Sequence, residues 1–214
     1  MPAGTLLADV PIVLDAGDTG RVFEGVGGVS AGASSRNLID YPPKPRDEVL
    51  DFLFKPKFGA ALQHLKVEIG GGENSTDGSE PSHAVTREEL AHPKARGYEF
   101  WLMAEARKRN AKILLDGLPW CYPGWLSGRF SQDSADWLVA FLDVARKQYG
   151  LEIDWLAAGQ NEMGTDPKWI VKTLRPTLDA RGYSHVKLQA PDNNYDNWKI
   201  FEDLQKDPKL DAAV

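Results

Sequence analysis

The residues of this sequence best placed to carry out chemistry are Asn161 and Glu162, which follow a short apolar stretch. Residues 153–155 predict a buried strand, and the chain beyond the pair predicts a helix with Thr165 or Asp166 as its N-cap. The pair then lies at the carboxyl end of a strand, where α/β folds place their chemistry. There a glutamate can transfer a proton while an asparagine binds a sugar hydroxyl, as in a glycosidase. The alternative is an ordinary loop dipeptide at a helix start.

Composition narrows the classes of protein that need to be considered. The 214 residues carry a net charge of -6, which argues against a nucleic-acid partner, since such proteins usually have a basic face. No run of 18 apolar residues predicts a membrane span, and no signal peptide is visible at the first residues. The single cysteine, Cys121, excludes an internal disulfide and a metal site with several cysteines. We therefore expect no nucleic acid, no membrane span and no metal.

The order of predicted elements indicates an α/β fold with a parallel sheet. Strands are predicted near residues 22–30, 62–69, 112–116, 153–155 and 186–190. Helices are predicted near residues 46–54, 96–110, 133–149, 167–180 and 195–204, with Pro176 kinking or ending the fourth. The polar and aromatic loops follow the strands, which is the arrangement of a (β/α)8 TIM barrel. Eight units need roughly 250 residues, so this chain is either a short open sheet or about the first five strand–helix units of a barrel.

Other chemically able residues have plainer explanations. His83 has no second histidine or cysteine at ligand spacing, so a metal role is not expected. Cys121 has no paired histidine nearby and is interpreted as an unreactive small side chain. Trp120 lies in a loop rich in aromatics and proline, which is either a sugar-stacking wall or a rigid apolar plug.

Several short runs resemble one family, the galactosylceramidases of glycoside hydrolase family 59. They occur in the expected order over roughly residues 10–205, which is almost the whole chain. The matching runs are residues 53–56 (LFKP), 65–71 (LKVEIGG), 76–78 (TDG), 80–83 (EPSH), 96–99 (RGYE), 117–120 (GLPW), 123–126 (PGWL) and 161–162 (NE).

This resemblance implies a retaining glycoside hydrolase that removes β-linked galactose from galactosylceramide-like galactolipids, without a cofactor. Glu162 matches the family's general acid/base, and Asn161 would bind the sugar's 2-hydroxyl. Trp120 would line the galactose pocket, while Thr76 and the backbone of Gly32 would bind other hydroxyls.

The sequence also departs from the family's pattern. The family's nucleophile is a glutamate at the end of the seventh strand, so it is expected beyond Val214, and Glu68 and Glu80 match structural or wall positions instead. Residues 1–214 would then be the N-terminal portion of a TIM-barrel domain, without the later strands, the β-sandwich and the lectin-like domain, and inactive or nearly so alone. Gln160 stands where animal enzymes carry an aromatic residue, which leaves the sugar or aglycone preference open.

Two alternatives remain at this point. One is a related retaining β-glycosidase with another sugar specificity, and the other is a non-catalytic sugar-binding module. By resemblance alone, the partners would be a galactolipid or β-galactoside substrate and a lipid-presenting activator protein, and the location would be lysosomal or secreted.

Overall fold

The computed structural model describes residues 12–73, 78–190 and 199–214. Its centre is a sheet of five parallel strands. The strands are β1 (Gly27–Ser30), β2 (His64–Ile69), β3 (Leu114–Pro119), β4 (Trp155–Ala157) and β5 (Lys187–Gln189). The predicted α/β class with a parallel sheet is therefore confirmed.

The strands lie in the sheet in the order in which they occur in the chain, from β1 to β5. Each connection therefore joins neighbouring strands, and connections between parallel strands share one hand. Five strands added in one direction place their connecting helices on one face of the sheet. The chain therefore crosses the sheet in a single direction from β1 to β5, and it does not start at a central strand and extend to both edges.

The helices occupy the connections between the strands. Those before β4 are α1 (Ser35–Asp40), α2 (Pro43–Phe54), a 3-10 turn (Glu88–Ala91), α3 (Glu99–Arg109) and α4 (Gln132–Tyr149). Those after it are α5 (Pro167–Trp169), a π-helical turn (Ile170–Leu174), α6 (Arg175–Ala180), α7 (Lys199–Lys206) and α8 (Pro208–Asp211). No helix among the described residues is long and apolar enough to cross a membrane.

The longest helix, α4, shows how local sequence sets the element bounds. Ser131 caps its first turn in a capping box with Ser134, and Gly150 ends it in the left-handed conformation, with φ at 65°. Between these caps the helix presents a broad apolar face to the sheet, and Trp137 and Phe141 on that face are buried. This face forms the centre of the hydrophobic core.

Pro176 neither ends its helix nor leaves a break in it. The segment from Pro167 to Ala180 is continuous, because a π-helical turn at Ile170–Leu174 precedes the proline. A π turn shifts the hydrogen-bond pattern by one residue, which accommodates a position without an N–H. The prediction that Pro176 ends this helix was therefore wrong, and a kink at Pro176 stays a prediction.

The two faces of the sheet differ in chemistry. On β2, Leu65, Val67 and Ile69 are buried in the core beneath the helices, and the alternate residues His64, Lys66 and Glu68 lie on the opposite face. Asp116 of β3 lies on that opposite face as well, 3.3 Å from the His64 imidazole and 3.6 Å from the Lys66 amine. The face turned away from the helices thus carries charged groups, together with the apolar residues Val29, Leu118 and Trp155 that the register places on the same side.

Candidate functional site

The loops that follow β1 to β4 meet at one edge of the sheet, because parallel strands end on the same side. Hydrogen bonds join these loops in sequence. The Trp120 amide donates to the Ile69 carbonyl at 3.2 Å, and the Asn161 amide donates to the Pro119 carbonyl at 2.8 Å. The Gln160 side chain donates to the Trp120 carbonyl at 3.1 Å. The structure therefore brings the loop of Trp120 beside the loop of Asn161 and Glu162.

The predicted position of Asn161 and Glu162 at the carboxyl end of β4 is confirmed. Glu162 is exposed, and Asn161 is half-buried behind it. The helix that follows begins as predicted: the Asp166 carboxylate accepts hydrogen bonds from the amides of Lys168 and Trp169. The loop is thus held between a strand end and a capped helix, which presents the Glu162 carboxylate to solvent.

Glu162 adopts a left-handed backbone conformation, with φ at 55°. For a residue with a side chain this conformation costs roughly 1–2 kcal/mol. Such strain in non-glycine residues concentrates at functional sites, where the surrounding structure imposes it. Lys57 and Ala61, in the loop before β2, share this conformation, so it supports a functional role for Glu162 only together with the position of Glu162 at the end of β4.

Gly32 lies in the loop after β1, in the left-handed region with φ at 69°. Its neighbour Ala33 has φ at 60° although it carries a side chain and is buried. The Gly32 amide donates to the Glu68 carboxylate at 2.6 Å. The main-chain N–H of Gly32 is thus already engaged, and its carbonyl oxygen is the group left for a ligand. Thr76, the remaining predicted sugar-binding residue, lies outside the described residues.

Three buried carboxyl groups accept hydrogen bonds from the loop after β1 and from the start of α3. They belong to Glu68, Glu80 and Glu99, which we call the carboxyl cluster. Each is no more than 2% exposed. Glu80 accepts hydrogen bonds from the amides of Tyr98 and Glu99 at 2.9–3.3 Å. Glu99 accepts from the hydroxyls of Ser30 and Ser35 at 2.8 and 2.9 Å. The cluster therefore ties the loop after β1 to the segment that enters α3.

Burial shifts the ionisation of the whole carboxyl cluster. Desolvation raises the pKa of Glu80 to about 7, against the stabilising amides of Tyr98 and Glu99. Burial also raises the pKa of Glu99 well above its ordinary value, and the charge of Glu80 raises it further. The pKa of Glu68 is raised by burial, although the amides of Gly32 and Ala33 oppose this.

Sequence reasoning treated Glu68 and Glu80 singly and missed Glu99. The structure joins them across β2, the loop after it and α3, which is a tertiary relationship. One local signal was available: Glu99 directly precedes the apolar residues 100–103, so it lies in the first turn of a helix predicted to be largely buried.

The remaining candidates are structural. The His83 ring stacks on Trp137 and its Nε2 lies 2.8 Å from the Trp137 carbonyl oxygen, and burial lowers the His83 pKa to about 4. Cys121 is buried, and burial raises the pKa of its thiol, as expected for an unreactive side chain. Within the part of the chain that the structure describes, no group of three His, Cys, Asp or Glu side chains is arranged to hold a metal ion.

Solved structures of similar fold include two glycoside-cleaving enzymes. An endo-β1,6-glucanase superposes with a TM-score of 0.75 at 20% identity, over 91% of this chain and 51% of that chain. The catalytic domain of GH30 xylanase C from Talaromyces cellulolyticus superposes with a TM-score of 0.62 at 17% identity, over 84% of this chain and 49% of that chain. At such identities these similarities describe the fold alone.

Sequence comparison gives closer relatives. The galactocerebrosidase of Mus musculus is 45% identical over 100% of this chain and 31% of its own length. The human galactocerebrosidase is 43% identical over 100% of this chain and 30% of its own length, and that of Danio rerio is 43% identical over 91% and 30%. This chain thus spans about a third of the length of these relatives. Residues 23–214 match the family described as glycosyl hydrolase family 59, and the chain belongs to that family.

Proposed function

We propose that this chain forms the first five strand–helix units of the (β/α)8 barrel of a retaining glycoside hydrolase. The substrate would be a β-galactoside of the galactosylceramide type, with Glu162 as the general acid/base. The observation that carries the proposal is the position of Asn161 and Glu162 beside Trp120 at the carboxyl edge of a parallel sheet, in a chain 43–45% identical to galactocerebrosidases.

Strand order supports the barrel. In a (β/α)8 barrel each strand lies beside its predecessor, and all helices cover the outer face. The sequential order of the five strands agrees with this arrangement. Residues 1–214 would then be the N-terminal portion of the barrel domain.

In the first chemical step the Glu162 carboxyl group would protonate the glycosidic oxygen while a second carboxylate attacks the anomeric carbon. The bond from that carbon to the aglycone oxygen breaks, and a covalent glycosyl–enzyme forms. In the second step the ionised Glu162 takes a proton from water, and the water oxygen displaces the enzyme carboxylate. Two displacements at one carbon retain the β configuration.

A strand of the barrel later than the five described would supply the attacking carboxylate. The other candidates at this edge are already engaged. Glu68 and Glu80 accept hydrogen bonds from main-chain amides, and Glu99 accepts from two serine hydroxyls, all three being buried behind the loops. A nucleophile must instead face the sugar.

The sugar itself would be held by residues of four loops. Asn161 would bind the 2-hydroxyl next to the reacting carbon, and the Trp120 ring would pack on the apolar side of the sugar. The Gly32 carbonyl and Thr76 would bind other hydroxyls. A galactolipid presents its sugar at the surface of a lipid assembly, so an activator protein that lifts the lipid remains part of the proposal by family resemblance.

The proposal is tested by assaying the longest protein that the gene encodes on chromogenic β-galactoside, β-glucoside and β-xyloside, with NMR detection of the first anomer released. We expect the β-galactoside to be preferred by about 100-fold and β-galactose to appear first. Preference for another sugar would establish the related β-glycosidase instead. Binding of galactose without turnover of any glycoside would establish the sugar-binding module.

A further inference from the structure

The carboxylate of Glu68 occupies an unusual position between two strands and a loop. It lies near the carboxyl end of β2, on the face turned away from the helices, and is 1% exposed. A carboxyl group so completely removed from water must be compensated by hydrogen bonds. Oε2 has such a partner in the structure, whereas Oε1 meets no hydrogen-bond donor among the described residues.

That partner is the turn formed by Gly32 and Ala33. Both residues are left-handed, with φ at 69° and 60°. The Gly32 amide donates to Glu68 Oε2 at 2.6 Å, and the Ala33 amide also stabilises the ionised carboxylate. Successive main-chain amides that converge on one anion form a nest, and here the anion is a side chain of the protein itself.

The ends of the same loop are held by a different group. Ser30 and Ser35 both donate to Glu99 Oε1, at 2.8 and 2.9 Å. The loop thus has one anchor at its ends and another at its centre. Loss of the central anchor alone should leave the loop attached to α3 while its left-handed turn relaxes.

We propose that Glu68 is a positioning residue for substrate binding, which fixes the Gly32–Ala33 turn so that the Gly32 carbonyl oxygen points at the sugar. This inference rests on the proposed function. It explains why a buried carboxylate lies directly behind a loop expected to bind the sugar, and why Ala33 tolerates a backbone conformation that favours glycine. Glu68 acts through Gly32 and does not itself touch the substrate.

The test is Glu68→Gln, which keeps the size of the side chain and removes its charge. The Gln amide group accepts from one main-chain N–H and turns a donor toward the other. Amide hydrogen exchange by NMR should accelerate about tenfold at Gly32 and Ala33. KM for a β-galactoside should rise about tenfold while kcat stays within about threefold, since the contact is remote from the reacting carbon.

Asp143→Asn provides the matched control. Asp143 is also a buried carboxylate, on α4, and it accepts a hydrogen bond from the Tyr183 hydroxyl at 2.6 Å. This variant should leave KM and the exchange of Gly32 and Ala33 unchanged even where it lowers stability. Glu68→Asp, whose side chain is one methylene shorter, should hold the turn only in part, so its KM should lie above that of wild type.

Two outcomes would overturn the inference. Unchanged exchange at Gly32 and Ala33 in Glu68→Gln would show that the carboxylate does not hold the turn. Faster exchange with an unchanged KM would show that the turn is structural only. The exchange experiment needs no substrate, so it stands even if the protein hydrolyses no galactoside, and that failure would count against the proposed function instead.

Discussion

The Gln160 side chain donates a hydrogen bond from Nε2 to the carbonyl oxygen of Trp120 at 3.1 Å, and this bond joins the loops after β3 and β4. It connects the candidate sugar-stacking residue to the strand end that carries Asn161 and Glu162. Family resemblance predicted an aromatic residue at position 160, where this chain has an amide. The hydrogen bond shows how the amide is used: it fixes the main chain at Trp120.

Replacing Gln160 by alanine should therefore loosen Trp120 and lower kcat/KM on a β-galactoside about fivefold. A neutral hydrogen bond of this kind contributes about 0.5–1.5 kcal/mol, which corresponds to such a factor. Gln148→Ala is the matched control, because Gln148 Nε2 also donates to a main-chain carbonyl, that of Pro93, at 3.0 Å. Equal losses of kcat/KM in the two variants would contradict the positioning role of Gln160.

Gly97 is predicted to be intolerant of any side chain. Its φ is 87°, and a Cβ built there would overlap Glu80 Oε1. Gly97→Ala should lower the free energy of unfolding by about 3 kcal/mol, since strain and displacement of a buried carboxylate add. Denaturant unfolding measures this directly.

Gly182→Ala separates the two contributions. Gly182 has a similar φ of 79°, but a Cβ there would meet nothing within 4 Å. This variant should lose only about 1 kcal/mol from backbone strain. If Gly97→Ala were no more destabilising than Gly182→Ala, this result would contradict the close packing of Glu80 against Gly97.

The Glu80 carboxyl group should make stability depend on pH. Its pKa is raised from 4.5 to about 7 by burial, so the unfolded chain releases this proton at a lower pH than the folded chain does. The contribution of the protonated Glu80 carboxyl group to stability is complete below about pH 4.5 and is lost as the pH rises through about 7. Relative to wild type, Glu80→Gln should gain about 2–3 kcal/mol between pH 4.5 and 7.5, because an amide has no proton to lose.

Subtracting the free energies of unfolding of the two proteins removes the contribution of His83, which depends on pH in the opposite sense. Burial lowers the pKa of His83 from 6.5 to about 4, so its contribution is present above pH 6.5 and is lost as the pH falls toward 4. His83 is unchanged in both proteins and cancels in the difference. Urea unfolding at several pH values gives the result, and a pH-independent difference would contradict the assigned pKa of Glu80.

The five strands and the longer helices were predicted from the sequence because their signals are local, whereas the short helices α1 and α8 were not predicted. Hydrophobic periodicity located α4, and the loop with Asp166 and Pro167 showed the capping signal that the structure contains. The parallel sheet followed from the alternation of strand and helix signals, and with it the shared edge at which the loops of Asn161 and Trp120 lie side by side. These relationships require only the order of elements and the rule that parallel strands end together.

The relationships that sequence could not supply depend on tertiary packing. Glu68, Glu80 and Glu99 are separated in the chain, and only folding places them close enough for Glu68 to raise the pKa of Glu80 and for both to raise the pKa of Glu99. The left-handed conformation of Ala33 is equally invisible, because alanine normally avoids it. Pro176 is a third case, since a π turn rather than a break accommodates it.

The most direct test of the whole account is azide rescue of Glu162→Ala in the longest protein that the gene encodes. An activated aryl β-galactoside needs little acid assistance to form the glycosyl–enzyme, so only the second step should stall, and azide needs no general base to complete it. We predict that Glu162→Ala is about 100-fold or more slower than wild type. Added azide should restore turnover and yield β-galactosyl azide, while Asn161→Ala should show no rescue. A Glu162→Ala protein as active as wild type, or an impaired one that azide fails to rescue, would contradict the role of Glu162 as general acid/base.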